Sequence, residues 1–243
     1  MSLAGRGVVV TRPLALAEQF ADLLKRHGAR AIVFPAIEIR PLPAPAAFAR
    51  AAAFDIIVFV SPSAVRVALP ALAPLPRNVS AAAIGTGTRR ELERAGIAPV
   101  IAPAGGADSE ALLGEMQDVR GKRVLIVRGE GGRALLGETL TARGARVEYA
   151  ECYRRARPQL DPTPLLKAWR GGEVHALTVS SAEALDNFIA MTGPQLAAAL
   201  PLFVPHERVA AHARSCGLPD LLVAGPGDDE MIERLVAYFD ERD

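Results

Sequence analysis

The 243-residue sequence predicts an α/β protein made of two similar parallel-sheet lobes with a cleft between them. Three observations carry that expectation. Short β-branched runs alternate with longer amphipathic stretches, which is the pattern of βαβ units. The alternation then repeats with its motifs in the same order. Two extended, Pro-rich segments follow equivalent strands of the two repeats.

Taken in order, Gly7–Thr11 ("GVVVT") is the first strand. Leu14–His27 follows as a helix, with Leu16, Phe20, Leu23 and Leu24 on one face of a 3.6-residue period. Gly28 ends it, as glycine commonly ends helices. Ala31–Phe34 is the second strand, and Pro35–Phe48 is extended and Pro-rich. Asp55–Val60, Ala81–Ile84, Val100–Ala102, Arg123–Val127 and Val147–Ala150 are further short apolar runs and read as strands. Glu151–Pro164 is the second extended segment, and Val174–Val179, Leu202–Val204 and Leu221–Val223 are the last strands.

The repeat needs no gap where "GVVVTRPLALAEQFADLLKRHGARAIVF" lies over "RVLIVRGEGGRALLGETLTARGARVEYA". Val8 falls on Val124, Arg12 on Arg128 and Gly28-Ala29-Arg30 on Gly144-Ala145-Arg146, all at an offset of 116 (124 − 8). "DIIVFVSPSAV" then pairs with "VHALTVSSAEA", placing Ser61 on Ser180 at 119 (180 − 61). "AIGTGTRRELERAG" pairs more loosely with "FVPHERVAAHARSCG". Several pairs in one order indicate duplication of an α/β unit. If both extended segments join the same two lobes, residues 1–36 and 158–243 form one lobe and 40–153 the other. The connectors are then about 35–42 and 151–160. Clefts between lobes are common small-molecule sites.

Composition narrows the function classes. Hydrophobic residues at 50% and charged residues at 23% are an ordinary globular balance, and a net charge of +1 offers no basic face for nucleic acid. Cys152 and Cys216 are too few for a disulfide framework and suggest a reducing compartment. The start, "MSLAGRGVVVTRP", has no apolar core before a cleavage site, and no apolar run is long enough to span a bilayer. A cytoplasmic protein is expected. His27, His175, His206 and His212 show no ligand spacing and neither cysteine has a nearby partner, so no metal site is expected. The absence of a G-x-S-x-G elbow removes a serine-hydrolase reading.

In open parallel sheets the ligand side is the carboxyl edge. Here those handovers read Thr11-Arg12-Pro13, Ser61-Pro62-Ser63, Gly85-Thr86-Gly87-Thr88, Arg128-Gly129-Glu130-Gly131-Gly132, Ser180-Ser181 and Pro205-His206-Glu207. Each is also an ordinary helix cap or turn taken singly. Together they describe two rims of backbone N–H groups at helix N-termini, where carboxylates or phosphates fit. The segment from Gly129 to Ala134 also matches the dinucleotide pattern G-x-G-x-x-A, with Glu148 or Glu151 as a ribose acid. The equivalent loop of the first repeat, starting at Arg12, keeps the arginine and has no glycine.

These same residues resemble the uroporphyrinogen-III synthase family along nearly the whole chain. The matching pieces are "VVVTRP", "FDIIVFVSPSAV", "AAIGTGT", "GKRVLIVRGEGGR" followed by "GARVEYAECYRR", and "FVPHERVA". The resemblance implies two flavodoxin-like α/β lobes joined by a two-stranded connector, with the active site in the cleft. It implies a cyclising lyase that needs no metal or organic cofactor and takes hydroxymethylbilane, with hydroxymethylbilane synthase as a possible donor; the sequence itself offers no oligomer signature, so a monomer is expected. The linear tetrapyrrole is closed with inversion of its last pyrrole and loss of water. Tyr153, in "ECYRR", matches a tyrosine of the family that assists departure of the hydroxyl, and its alternative role is packing at the lobe junction. Thr88 matches a second polar position of the family. Arg12, Ser61, Ser63, Thr86, Thr88, Arg128, Gly129, Gly131, Ser180, Ser181 and His206 are the expected binders of the substrate carboxylates. Two other functions stay open on the sequence: a non-catalytic, two-lobed anion-binding protein, and a nucleotide-dependent enzyme using the 129–134 loop.

Overall fold

The computed structural model describes residues 3–106 and 108–242. In chain order the strands are β1 (Gly7–Val10), β2 (Arg30–Val33), β3 (Glu38–Pro41), β4 (Ile56–Phe59), β5 (Ser80–Ala83), β6 (Val100–Ile101), β7 (Arg123–Gly129), β8 (Arg146–Ala156), β9 (Ala176–Thr178), β10 (Leu202–Val204) and β11 (Leu221–Val223). The helices are α1 (Leu14–Arg26), α2 (Pro62–Leu72), α3 (Thr86–Arg94), α4 (Ser109–Glu115), α5 (Leu135–Ala142), α6 (Thr163–Arg170), α7 (Ala182–Thr192), α8 (Pro194–Ala198), α9 (Glu207–Ser215) and α10 (Asp228–Asp240), with a 3₁₀ segment at Ala46–Ala53. They form two compact units: Met1–Glu38 with Ala156–Asp243, and Ile39–Arg155. The outer limits of the first predicted lobe, residues 1 and 243, lie outside the described residues. No helix among the described residues is long and apolar enough to cross a membrane.

The second unit holds a six-stranded sheet in the order β3-β8-β7-β4-β5-β6. Its central pair, β4 and β7, runs parallel with Ile56 beside Val124 and Phe59 beside Val127. Alternate residues feed two cores. Ile57, Phe59, Leu125 and Val127 pack into one cluster with Phe48, Phe54 and Leu92. Ile56, Val58, Val124 and Ile126 pack into another with Leu112, Leu136 and Leu140. A strand covered on both faces has no polar side to show, which is why both strands read as unbroken apolar runs.

The first unit holds a parallel five-stranded sheet, β11-β10-β9-β1-β2. Val8 and Val10 of β1 pack with Phe20 and Leu24 of α1 and Leu235 and Phe239 of α10. The repeated G-A-R triplet has one structural job in both units. Gly28 and Gly144 take φ of 85° and 89° after α1 and α5, values that favour glycine. Ala29 N–H then donates to Leu24 O and Ala145 N–H to Leu140 O, both at 3.0 Å, closing each helix as in a Schellman turn.

Two expectations are corrected. The extended segment after β2, one half of the expected two-stranded connector and absent from the predicted strands, contains β3. The strand expected to stop at Ala150 runs on as β8 to Ala156. Both follow from one pairing: β3 lies beside β8, and Leu42 N–H donates to Cys152 O at 2.9 Å. The passages between units, at Glu38/Ile39 and Arg155/Ala156, therefore fall within or at the end of hydrogen-bonded strands. The repeat register is also corrected. Val8 pairs with Ala176 in one sheet and Val124 with Ile56 in the other, so the second pair of segments matches at 120 (176 − 56), and Ser61 corresponds to Ser181.

Gly7 shows why that position has no side chain. A Cβ there would lie 1.9 Å from Glu173 O. Gly7 N–H instead donates to His175 Nδ1 at 2.9 Å, and His175 N–H donates to Gly7 O at 2.8 Å. Burial, with a contribution from the Arg6 charge, pushes the His175 pKa down. Protonation would also replace the Nδ1 acceptor with a second donor. The folded state thus binds this proton less readily than the unfolded chain. The stability His175 contributes is complete above its ordinary value of 6.5 and is lost as pH falls through the lower folded value. Urea unfolding at a series of pH values will show this acid-side loss, reduced in His175→Gln.

Candidate active site

In the second unit the carboxyl ends of β7, β4 and β5, neighbours in the sheet, deliver three of the predicted loops to one edge. Ser61 follows β4 and is the N-cap of α2: its Oγ accepts from Ala64 N–H at 2.9 Å, and Pro62 occupies the first helical turn, where a missing N–H costs nothing. The same Oγ lies 3.0 Å from the Tyr153 phenol oxygen. Tyr153 reaches it because β8 continues past Ala150 and pairs, through a register shift, with Gly129 of β7. Its ring is buried, at 4% exposure, in the core that holds Phe59 and Val65. Gly129 makes room for it: a Cβ there would stand 2.7 Å from ring atoms Cε2 and Cζ. Glu130 N–H, donating to Tyr153 O at 2.8 Å, fixes the strand there. The structure thus brings Ser61, Gly129 and Tyr153 together, and Tyr153 both packs and presents a hydroxyl.

Arg128 does something the sequence did not suggest. Its Nε and Nη2 donate to Glu151 Oε1 at 3.2 and 2.9 Å. Its Nη1 donates to the carbonyls of Gly132 and Arg133 at 3.0 and 3.2 Å, and the guanidinium lies 4.0 Å from the Tyr149 ring centroid, a cation–π arrangement. The glycine loop is therefore wrapped around its own arginine. Two of its carbonyls point at that arginine, so the pyrophosphate cradle of a dinucleotide fingerprint, which needs inward N–H groups, is not formed. Gly131, with φ of 69°, belongs to the turn before α5, which starts at Leu135; the expected helix N-terminus at Gly131 is corrected accordingly. Cys152 is buried beside this loop. Burial pushes its thiol up to about 11, so it is protonated at neutral pH and is no nucleophile.

Thr86 opens α3 after the N-cap Gly85 and is half-buried, whereas Thr88 and Ser63 are buried at 2% and 7% exposure. The N-cap positions of α2 and α3 belong to Ser61 and Gly85, so Ser63 and Thr88 lie inside the first turns of their helices. Glu91 braces α3 against α2 by accepting from Arg66 Nε at 2.8 Å and Arg94 Nη1 at 2.6 Å.

In the first unit the carboxyl ends of β1, β9 and β10 are likewise neighbours. Thr11 Oγ1 donates to Thr178 O and Thr178 Oγ1 to Val9 O, both at 2.8 Å, locking β1 to β9 at that edge. Ser181 caps α7 by accepting from Ala184 N–H at 3.1 Å, and Ser180 before it is exposed. His206 holds the N-cap position of α9 without a side-chain cap bond. Arg12 is paired with Asp228 at the start of α10 and lies over the Phe20 ring at 4.4 Å. Both predicted arginines thus carry carboxylate partners of their own, Asp228 and Glu151, which the motif reading missed. The repeat could have raised the question, since Arg12 and Arg128 occupy equivalent places.

The family described as uroporphyrinogen-III synthase HemD matches residues 18–233. The chain belongs to the uroporphyrinogen-III synthase family. Among its relatives, the uroporphyrinogen-III synthase of Escherichia coli K12 is 35% identical over 93% of this chain and 98% of its own length. That of Salmonella typhimurium is 36% identical with the same coverage. The crystal structure of uroporphyrinogen-III synthetase from Helicobacter pylori superposes with a TM-score of 0.63 at 15% identity, covering 96% of this chain and 99% of the other. A mutant uroporphyrinogen III synthase from Thermus thermophilus gives 0.59 at 21% identity, covering 97% and 99%. At those identities the structures support the fold alone. The resemblance seen in the sequence is confirmed, and with it membership of a family of cyclising lyases of tetrapyrrole biosynthesis.

Proposed function

We propose that the chain converts hydroxymethylbilane to uroporphyrinogen III, inverting the last pyrrole ring and releasing water. Family membership across most of the chain is the observation that carries this proposal. The Ser61–Tyr153 hydroxyl pair supports a division of labour within it. Ser61 already accepts the Ala64 N–H; when its own proton points to the phenol oxygen, the phenol accepts that bond and is left in the donor role for its own proton. That proton goes to the terminal hydroxyl of the substrate as it departs as water. The N-protonated, cationic azafulvene that remains is attacked by the substituted carbon of the last pyrrole, and the spiro intermediate fragments and recloses. Reclosure releases the proton that restores the phenol. No nucleophile from the protein is required, and the rate comes from holding a crowded geometry.

Carboxylate arms of the substrate suit the helix N-termini. In the second unit Thr86 offers a hydroxyl and the backbone N–H groups near Ser63 and Thr88 offer donors, while the Ser61 hydroxyl stays with the phenol. In the first unit Ser180, Ser181 and His206 are the corresponding groups. Each such contact contributes about 0.3–1 kcal/mol, so affinity rests on their number. Arg12 and Arg128, with Gly129 and Gly131, shape the loops that present these donors. The same proposal has the chain act as a monomer in the cytoplasm, supplied by hydroxymethylbilane synthase; two free thiols are in keeping with a reducing compartment. Incubation with freshly made hydroxymethylbilane, followed by oxidation and separation of the uroporphyrin isomers, will give predominantly type III. Type I alone, as in an enzyme-free control, overturns the proposal.

A further inference from the structure

The geometry points to a binding site for one divalent transition-metal cation of the zinc class at Asp186, His212 and Cys216 in the first unit. No metal site was expected from the sequence, where neither cysteine was given a partner. Helical spacing corrects that: His212 and Cys216 stand four apart on α9 and its C-cap and so share a face. Asp186, on α7, supplies the third group. His212 Nε2 lies 2.7 Å from Asp186 Oδ1 and 3.8 Å from Cys216 Sγ. The three ligand atoms all lie within 4.8 Å of one another, the one such group among the described residues.

In a tetrahedral zinc site with bonds of about 2.0–2.3 Å, ligand atoms sit roughly 3.3–3.6 Å apart. Closing this trio on an ion therefore asks the histidine–carboxylate pair to open slightly and the thiol to draw in. Imidazole nitrogen, thiolate and carboxylate together suit a borderline-soft dication, and the two anionic ligands would cancel its charge. Three protein ligands leave a fourth position for water. A nucleophilic Cys-His-Asp triad does not fit, because the same nitrogen, Nε2, faces both the sulfur and the carboxylate. A triad histidine accepts from the nucleophile at one nitrogen and donates to the acid from the other. Asp186 and Cys216 are exposed and His212 is half-buried, so an ion can reach the group. An ion held there would tie α7 to α9, the helices whose N-termini present Ser181 and His206.

The test is calorimetric titration of the full chain with Zn²⁺ in the presence of a non-thiol reductant. One equivalent binds, and the melting temperature rises by a few degrees as Zn²⁺ stabilises the folded state. Co²⁺ in place of Zn²⁺ gives the near-ultraviolet absorption of a cobalt–thiolate bond. Cys216→Ser removes that absorption, and Cys216→Ser and Asp186→Asn each weaken Zn²⁺ binding while isomer formation without added metal stays unchanged. Uptake of no Zn²⁺ by the wild-type chain, or uptake undiminished in both variants, overturns the assignment. Since no step of the proposed reaction involves these residues, the isomer assay and the titration fail independently.

Discussion

Tyr153→Phe lowers the turnover of hydroxymethylbilane by about 10²-fold, the lower range for loss of a positioned proton donor, with little change in KM. The substitution removes only the phenol oxygen. The ring that packs in the core with Phe59 and Val65 stays, and Ser61 keeps its cap bond to Ala64 N–H. Far-UV circular dichroism and the urea midpoint should therefore match the wild type. Ser61→Ala separates the roles further. It loses the cap, costing about 1 kcal/mol of stability, and it also removes the partner that orients the phenol. If the two hydroxyls act as one unit, the double variant turns over no more slowly than Tyr153→Phe alone, a strong departure from additivity. Unchanged kcat in Tyr153→Phe would return this tyrosine to packing.

That hydroxyl pair also marks the limit of what the sequence disclosed. Strands such as Ile56–Phe59 were legible because burial on both faces leaves no choice but an unbroken apolar run. The G-A-R triplets were legible because a helix stop and a strand start are both local events. The loop Ser61-Pro62-Ser63 was legible as a handover from strand to helix. The contact of Ser61 with Tyr153 was not legible, since it joins residues 92 positions apart and depends on β8 running past its expected end. The extension in turn needs β3, a four-residue strand inside a Pro-rich segment whose composition says only that it is extended. Charge partners were hidden for the same reason. Arg12 meets Asp228 across 216 positions, and no local pattern could tell a loop arginine facing substrate from one already neutralised. The one-residue error in the repeat had another cause: the adjacent Ser180 and Ser181 look alike in sequence, and only the cap bond to Ala184 distinguishes them.

Gly129→Ala tests the frame that holds the phenol. The added methyl would meet Cε2 and Cζ of Tyr153 at 2.7 Å and its oxygen at 3.1 Å. These are atoms of a buried ring whose backbone is tied to Glu130, so the ring cannot retreat the way an exposed side chain would. Either β7 and β8 separate at their register shift or the ring tilts, and both movements carry the hydroxyl away from Ser61. Overpacking of this kind costs about 1–3 kcal/mol, visible as a lower urea midpoint, and turnover should fall at least as far as in Tyr153→Phe. Combining Gly129→Ala with Tyr153→Ala removes the obstructing ring, and the glycine substitution should then add almost no further destabilisation to that of Tyr153→Ala. Gly114→Ala is the control: nothing lies within 4 Å of a Cβ there, and within α4 alanine is favoured over glycine by up to about 1 kcal/mol. It should leave turnover unchanged and stability equal or slightly higher. Equal behaviour of Gly129→Ala and Gly114→Ala would mean that the ring is free to move, and that the distance between the two hydroxyls does not govern the reaction.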